Sequence, residues 1–219
     1  MGNAYTFTEY MLILEILYEE HRKHTEKWLD SIDISHLNLK KLEVRHVCSS
    51  DPENIDGFID EGFLSYIDNY KESLGALYVR ISHRLNDEAG LIMGGRIKND
   101  DSILLKLHRK RFEDDGKFPI NKYLNDLLGF RLIDSRFEEN IIHLPPHIDR
   151  LKEQNKRFVH RSREVGEYKG YHVYFMGSGS KYFPMELQIW DTKNERGNLE
   201  SHKTYKKDYT FWPKIYNRG

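Results

Sequence analysis

Cysteine occurs once in the 219 residues, at Cys48, which excludes an internal disulfide and any multi-cysteine zinc site. A reducing compartment is the expected setting. Long apolar runs are missing too. The longest near the N-terminus, Met11-Leu12-Ile13-Leu14, falls far short of the roughly 20 residues a membrane span requires. No basic region followed by an apolar stretch and a small-residue cleavage site opens the chain, so a cytoplasmic protein without membrane contact is expected. A surplus of either charge is also absent. Lys plus Arg number 34 against 35 Asp plus Glu, a net charge of −1, which excludes generic coating of nucleic acid.

What is present points to a packed protein. Aromatic residues make up 13% of the chain (14 Tyr, 11 Phe, 3 Trp), too many for a solvating tail. With no repeat, no low-complexity linker and no visible boundary, residues 1–219 read as one α+β domain. Residues 1–85 form its helical N-terminal part, and 86–219 its core and a closing helix. Met11, Leu14, Leu17, Tyr18 and Trp28 recur at helical spacing over Thr8–Ser31. A second helix carries Phe63, Ile67, Tyr70, Leu74 and Leu77, after an acid-rich stretch from Asp51 to Glu61. Gly90, Gly94 and Gly95 break that helix, and an extended or looped stretch feeds a third one ending near Arg111. A short helix over Ile120–Asn125 follows, then a strand over Leu127–Asp134. Pro145-Pro146 punctuates a helix running towards Lys156. Arg157–Val165, Tyr171–Met176 and Phe183–Trp190 read as strands, and Leu199–Tyr209 as the last helix. The sheet is expected to be mixed, with four or five strands.

The last of these strands alternates cleanly. Met185, Leu187 and Ile189 take one face, while Glu186, Gln188 and Trp190 take the other. A carboxylate, an amide and an indole on one sheet face are costly unless that face is solvated or works as a site. If the Gly177–Lys181 segment closes a hairpin, His172 and Tyr174 come to lie near Gln188 and Glu186. Asp126, at the mouth of the preceding strand, is placed to join Glu186 in holding Mg²⁺ beside substrate phosphates, or else is a simple turn residue. Two basic runs stand out: six bases against two acids from Arg96 to Arg111, and five against one from Lys152 to Arg163. Lys106 and Arg109 share a helical face. Such runs are ordinarily solvated surface, but flanking a carboxylate site they suit a polyphosphate.

Other patterns carry no chemistry. Gly177-Ser-Gly-Ser-Lys181 lacks the phosphate-loop spacing and reads as a hairpin turn. His143 and His147 are separated by Pro145-Pro146, which argues against a helical zinc pair. His21 and His24 read as surface residues of the first helix, and Cys48 has no nucleophilic triad around it.

Taken in order, several segments resemble the synthetase domain of the RelA/SpoT family: Gly95-Arg-Ile-Lys98 with Asp101-Ser-Ile-Leu-Leu-Lys106, Asn125-Asp-Leu-Leu-Gly-Phe-Arg131, Glu167-Tyr-Lys-Gly-Tyr-His172, Glu186-Leu-Gln-Ile189, and His202 with Tyr205-Lys206. The resemblance implies a nucleotidyltransferase-like α+β fold and Mg²⁺-assisted transfer of pyrophosphate from ATP to a ribose 3′-hydroxyl. It implies Asp126 and Glu186 as metal and catalytic residues, joined by Gln188 and His172. Arg96, Lys98, Ser102, Lys106 and Arg109 would contact ATP. Tyr168 would stack on the acceptor base, with Arg131, Lys152, Lys156, Arg157, Arg161 and His202 on the acceptor side. The family's strand normally continues Glu-x-Gln-Ile-Arg-Thr. Here Trp190-Asp191 follows, removing a cation, and no His-Asp pair of the family's hydrolase domain occurs. The chain therefore resembles a small synthetase that cannot degrade its product. Trp190-Asp191 and the Lys152–Arg163 run lean towards the toxin-type group, which includes members that pyrophosphorylate the 3′-CCA end of tRNA, with a protein antitoxin as a candidate partner. The alternatives are GDP or GTP as acceptor, making an alarmone, or a non-catalytic nucleotide- or RNA-binding module.

Overall fold

A computed structural model describes residues 3–31, 37–49, 58–177 and 179–201. Helix α1 (Phe7–Ser31) buries Tyr10, Ile13, Leu14 and Leu17, one stripe at helical spacing. The stripe does not stop there. His21 and His24 continue it, 2% and 7% exposed, so they belong to the core and not to the surface. His21 Nε2 donates to the Phe183 carbonyl at 3.2 Å, and His24 Nε2 lies 3.1 Å from Ser73 Oγ. The Nε2 of each is thereby paired, which helps a helical histidine stripe to face inward.

Helix α2 (Glu61–Ala89) starts where Asp60 accepts a bond from the Phe63 N–H, 2.8 Å away. Phe63, Ile67, Tyr70, Leu74, Leu77, Ile81 and Leu85 form its buried stripe. It ends at Gly90, whose φ of 63° lets the chain turn back onto the last free carbonyls. Trp28 of α1 packs edge-on against Tyr70 of α2, with ring centroids 5.3 Å apart. Helix α3 (Asp100–Phe112) is capped by Asn99, with acids in its first turn and Arg109, Lys110 and Arg111 in its last, as the helix dipole favours. Short helices α4 (Ile120–Tyr123) and α5 (Phe137–Ile141) precede α6 (Leu144–Glu153). Pro145 and Pro146 sit in the first turn of α6, where a missing N–H breaks no helical bond. They begin the helix and do not interrupt it, and both His143 and His147 pack edge-on against Phe7.

Among the described residues, five strands form one mixed sheet in the order β1-β2-β5-β4-β3. They are β1 (Gly94–Ile97), β2 (Leu128–Asp134), β3 (Phe158–Val165), β4 (Tyr168–Phe175) and β5 (Met185–Asp191). Only β2 and β5 pair in parallel; the other three pairings are antiparallel. The 177–181 segment joins the antiparallel pair β4 and β5, as a hairpin connection should. Leu128, Phe130, Leu132, Tyr171, Val173, Phe175, Met185, Leu187 and Ile189 all point to one face and enter the apolar core. Tyr18 of α1 lies 5.1 Å from Phe158 on that same face. The opposite face carries the polar members of each alternation. Residues 195–201 are helical; the rest of the expected final helix, His202 included, and most of the acidic Asp51–Glu61 stretch lie outside the described residues.

Candidate active site

Strand register assembles the polar face. Gly129 lies opposite Glu186, Arg131 opposite Gln188, and Ile133 opposite Trp190 across the β2–β5 pair. His172 faces Gln188, and Tyr174 faces Glu186, across β4–β5. On the far edge, Arg161 lies opposite His172 and Arg163 opposite Gly170. A cavity of about 320 Å³ opens on this face, lined by Arg96, Asp126, Gly129, Arg131, Glu186 and Gln188 among others.

Glu186 is 5% exposed, and both its oxygens are held. His172 Nδ1 lies 2.8 Å from Oε1, and Gln188 Nε2 donates to Oε2 at 2.7 Å. Tyr168 Oη is 2.7 Å from His172 Nε2, and Trp190 Nε1 donates to that same phenol oxygen at 3.1 Å. The carboxylate only accepts, so the Nδ1–H of His172 donates to it. Gln188 Oε1 in turn accepts from Arg131 Nη2 at 3.2 Å. Burial opposes the charge on Glu186, and nearby Asp126 adds to that cost. The hydrogen bonds from His172 and Gln188 outweigh both and hold the carboxyl below its usual range.

The second cluster is cationic around an acid. Asp126 accepts from Lys98 Nζ at 2.6 Å through one oxygen and from Lys106 Nζ at 2.9 Å through the other. Burial works to raise its pKa, but the two ammonium groups overcome that and leave it strongly depressed. Lys98 is itself pushed down, by burial first and by the neighbouring cations Lys106 and Arg96. Residues 28 and 20 positions away in sequence supply these pairs, so spacing alone gives no sign of them.

Of the residues singled out from sequence, Arg96, Lys98, Lys106, Asp126, Arg131, Tyr168, His172, Glu186 and Gln188 meet on or beside this face. Ser102 lies in the first turn of α3, its N–H donating to Asn99. Arg109 pairs with Glu113 at the far end of that helix, 2.7 Å away. Arg161 and Arg163 stand exposed on the polar face, and Arg157 reaches the Gly179 carbonyl at 3.4 Å. Lys152 and Lys156 are on the other side of the sheet. Lys152 pairs with Asp149 of α6, which also contacts His160 of β3. His160 is in register with Val173 of the core face. Lys156 pairs with Glu15 of α1 and covers Tyr18. The structure therefore splits the expected acceptor-side run into two faces. Tyr174, Arg163 and the contacts of Trp190 complete the site without having been singled out for a role.

Two carboxylates held below their usual range, lysines paired with one of them and an open cavity on a sheet face are an arrangement that suits a polyphosphate. A sequence profile described as the region found in RelA / SpoT proteins matches residues 95–210, and the chain belongs to that family. It is a RelA/SpoT synthetase domain, a pyrophosphokinase using ATP. Similar solved structures include small alarmone synthetase 2 from Bacillus subtilis, at 21% identity, covering 67% of this chain and 82% of that one, with a TM-score of 0.42. A GTP pyrophosphokinase family protein from Streptococcus pneumoniae matches at 21% identity over 73% and 85% of the two chains, TM-score 0.44. Small alarmone synthetase 1 from Bacillus subtilis, bound to its product pppGpp, matches at 21% over 68% and 82%, TM-score 0.43. No curated protein matches the chain. No helix among the described residues is long and apolar enough to cross a membrane.

Proposed function

We propose that the site transfers pyrophosphate from ATP to a ribose 3′-hydroxyl, with the 3′ end of tRNA as acceptor. The observation that supports the transfer is an ionised Glu186, fixed through both oxygens, on the same cavity as the Lys98–Asp126–Lys106 cluster. The acceptor oxygen attacks the β-phosphorus, the bond from that phosphorus to the α-phosphate oxygen breaks, and AMP leaves. A carboxylate has about four lone-pair directions, and two of Glu186's are taken, so room remains to accept the 3′-O–H. With its pKa lowered, Glu186 is a weak base. Its part is to align the hydroxyl and take the proton as attack makes it acidic. Arg96, Lys98 and Lys106 meet the triphosphate, the two lysines trading Asp126 for phosphate oxygens.

Mg²⁺ fits the donor set. Asp126 and Glu186 are both ionised, and both line the cavity. No cluster of three or more His, Cys, Asp or Glu able to hold a metal exists among the described residues, so phosphates would complete the shell. When bound, the ion would neutralise charge developing on the transferred group.

For the acceptor, β3 supports a polynucleotide end. Its site-side residues Val159 and Val165 are 46% and 50% exposed and bracket Arg161 and Arg163. A pair of cations flanked by apolar surface beyond the cavity suits a single strand. Arg163 lies 5.8 Å over the Tyr168 ring, the place where a base stacking on that ring would displace it. A tRNA capped in this way would not accept an amino acid, which makes the chain a translation inhibitor with a protein antitoxin as its natural partner. GDP or GTP is the second reading. It is favoured by the placement of Lys152 and Lys156 on the opposite face, which shortens the cationic track.

The test is γ-labelled ATP incubated separately with bulk tRNA, GDP and GTP. Label on tRNA alone supports the first acceptor, and label on guanosine nucleotides alone replaces it with the second. Glu186→Gln is expected to abolish transfer while thermal unfolding stays near that of the parent; full activity in this variant refutes the assigned role.

A further inference from the structure

Trp190 stands where the family resemblance expects an arginine, and it is fully buried although it is on the polar face. Its two surfaces are both used. The indole edge donates to Tyr168 Oη at 3.1 Å, the two rings meeting at 82°. The indole face carries the Arg131 guanidinium, 3.7 Å from the ring centroid. Those two residues are the ends of the hydrogen-bonded series around Glu186. One arm runs from Tyr168 through His172 to Oε1, and the other from Arg131 through Gln188 to Oε2. Both arms therefore close on one indole.

A separate observation shows that the backbone is shaped for this contact. A Cβ on Gly170 would lie 2.9 Å from Trp190 Cδ1, 3.1 Å from Trp190 Nε1 and 3.0 Å from Tyr168 Oη. Nothing about the local backbone demands glycine there, since Gly170 is not among the glycines with positive φ. The small residue is required because the Trp190–Tyr168 bond occupies the space above it.

We propose that Trp190 is a positioning residue that closes a ring of side chains around Glu186 and holds Arg131 in place beside it. It touches no reacting atom. With its edge it fixes the Tyr168 hydroxyl against His172 Nε2, and with its face it holds Arg131 within reach of Gln188 and the cavity. An arginine laid on a buried indole keeps its planar fork in one orientation. This inference rests on Glu186 being the group that aligns the acceptor.

The test is a double-mutant cycle on kcat. Trp190→Phe keeps a ring under Arg131 and removes the N–H, and Tyr168→Phe removes the hydroxyl that receives it. Each single change is expected to lower kcat by about tenfold with little change in KM for ATP, the effect of one lost hydrogen bond in a network. The double variant is expected to be little worse than Tyr168→Phe, because the two act through the same bond. Gly170→Ala deletes no polar group but presses a methyl into that bond. It is expected to cut kcat in the parent and to have a much smaller effect in the Tyr168→Phe background. Effects of Trp190→Phe and Tyr168→Phe that simply multiply, or a Gly170→Ala enzyme with parental kcat, would overturn the proposal. If Glu186→Gln remains active, the functional reading fails; if it is dead while Trp190→Phe turns over normally, only this inference does.

Discussion

Mild acid tests the placement of His21 and His24. Both are buried between α1, α2 and the segment leading into β5, and burial pushes them down to about 3 and about 4. Arg80 adds repulsion at His24, and the two imidazoles repel each other if charged. In the unfolded chain each returns to an ordinary value near about 6.5. Their folded pKa values lie below the unfolded ones, so the unfolded state alone binds protons in the window between. Stability is then complete above about pH 6.5 and declines as pH falls, levelling only near the folded values. At about 1.4 kcal/mol per pH unit, lowering the pH from about 6.5 to about 5 removes about 2 kcal/mol per histidine, or about 4 kcal/mol for the pair. That is a large part of the roughly 5–15 kcal/mol that holds a typical domain together. His108 and His147 are also depressed by burial and add to the same slope. Urea unfolding followed by far-UV circular dichroism across this window should show the midpoint falling steadily. The variant His21→Asn/His24→Asn should be less stable at neutral pH and should lose most of the slope. A parental midpoint that stays flat between these pH values, or a double variant with the full slope, refutes the buried neutral pair.

Two further outcomes follow from the site. Asp126→Asn leaves the Lys98 and Lys106 ammonium groups facing each other, with side chains only 12% and 20% exposed and no counter-charge between them. It should cost about 2–3 kcal/mol of stability, read by chemical unfolding, and undiminished stability would mean the pairs are screened by water. Arg161→Glu with Arg163→Glu should sharply weaken transfer to a polynucleotide acceptor, whereas Lys152→Glu with Lys156→Glu should change it little. The reverse ranking in a labelled-ATP assay would show that the acceptor approaches the opposite face of the sheet.

Alternation made the polar face of the sheet legible. The pattern of Met185–Trp190 separates Glu186 and Gln188 from the core residues without reference to any neighbour, and the hairpin then brings His172 and Tyr174 opposite them. The α2 stripe was readable for the same reason, its period being sustained over many turns. The basic run Lys152–Arg163 was not, because it crosses from the end of a helix onto a strand. Proximity in sequence there places neighbours on opposite faces. His21 and His24 share the spacing of the apolar stripe but not its chemistry, and only the Phe183 carbonyl and Ser73 explain how they can be buried. The Lys98–Asp126–Lys106 cluster joins β1, α3 and the entry to β2, contacts that no local pattern encodes. The three-residue β3–β4 correspondence of Arg161, Arg163 and Val165 with His172, Gly170 and Tyr168 likewise appears only once the pairing is known.

The double lysine clasp on Asp126 has a bearing on how a cycle ends. Before nucleotide arrives, both ammonium groups already have a partner, so a ligand must offer enough negative charge to draw them away. A triphosphate does this and a monophosphate does so poorly. On the proposed chemistry, transfer of pyrophosphate converts the one into the other within the site. As the β- and γ-phosphates leave with the acceptor, the lysines regain Asp126 as their best partner, and AMP is left without the contacts that held its precursor. On the proposed chemistry, Asp126 competes with the spent nucleotide, and the clasp that opposes entry of weak ligands also hastens the departure of the by-product.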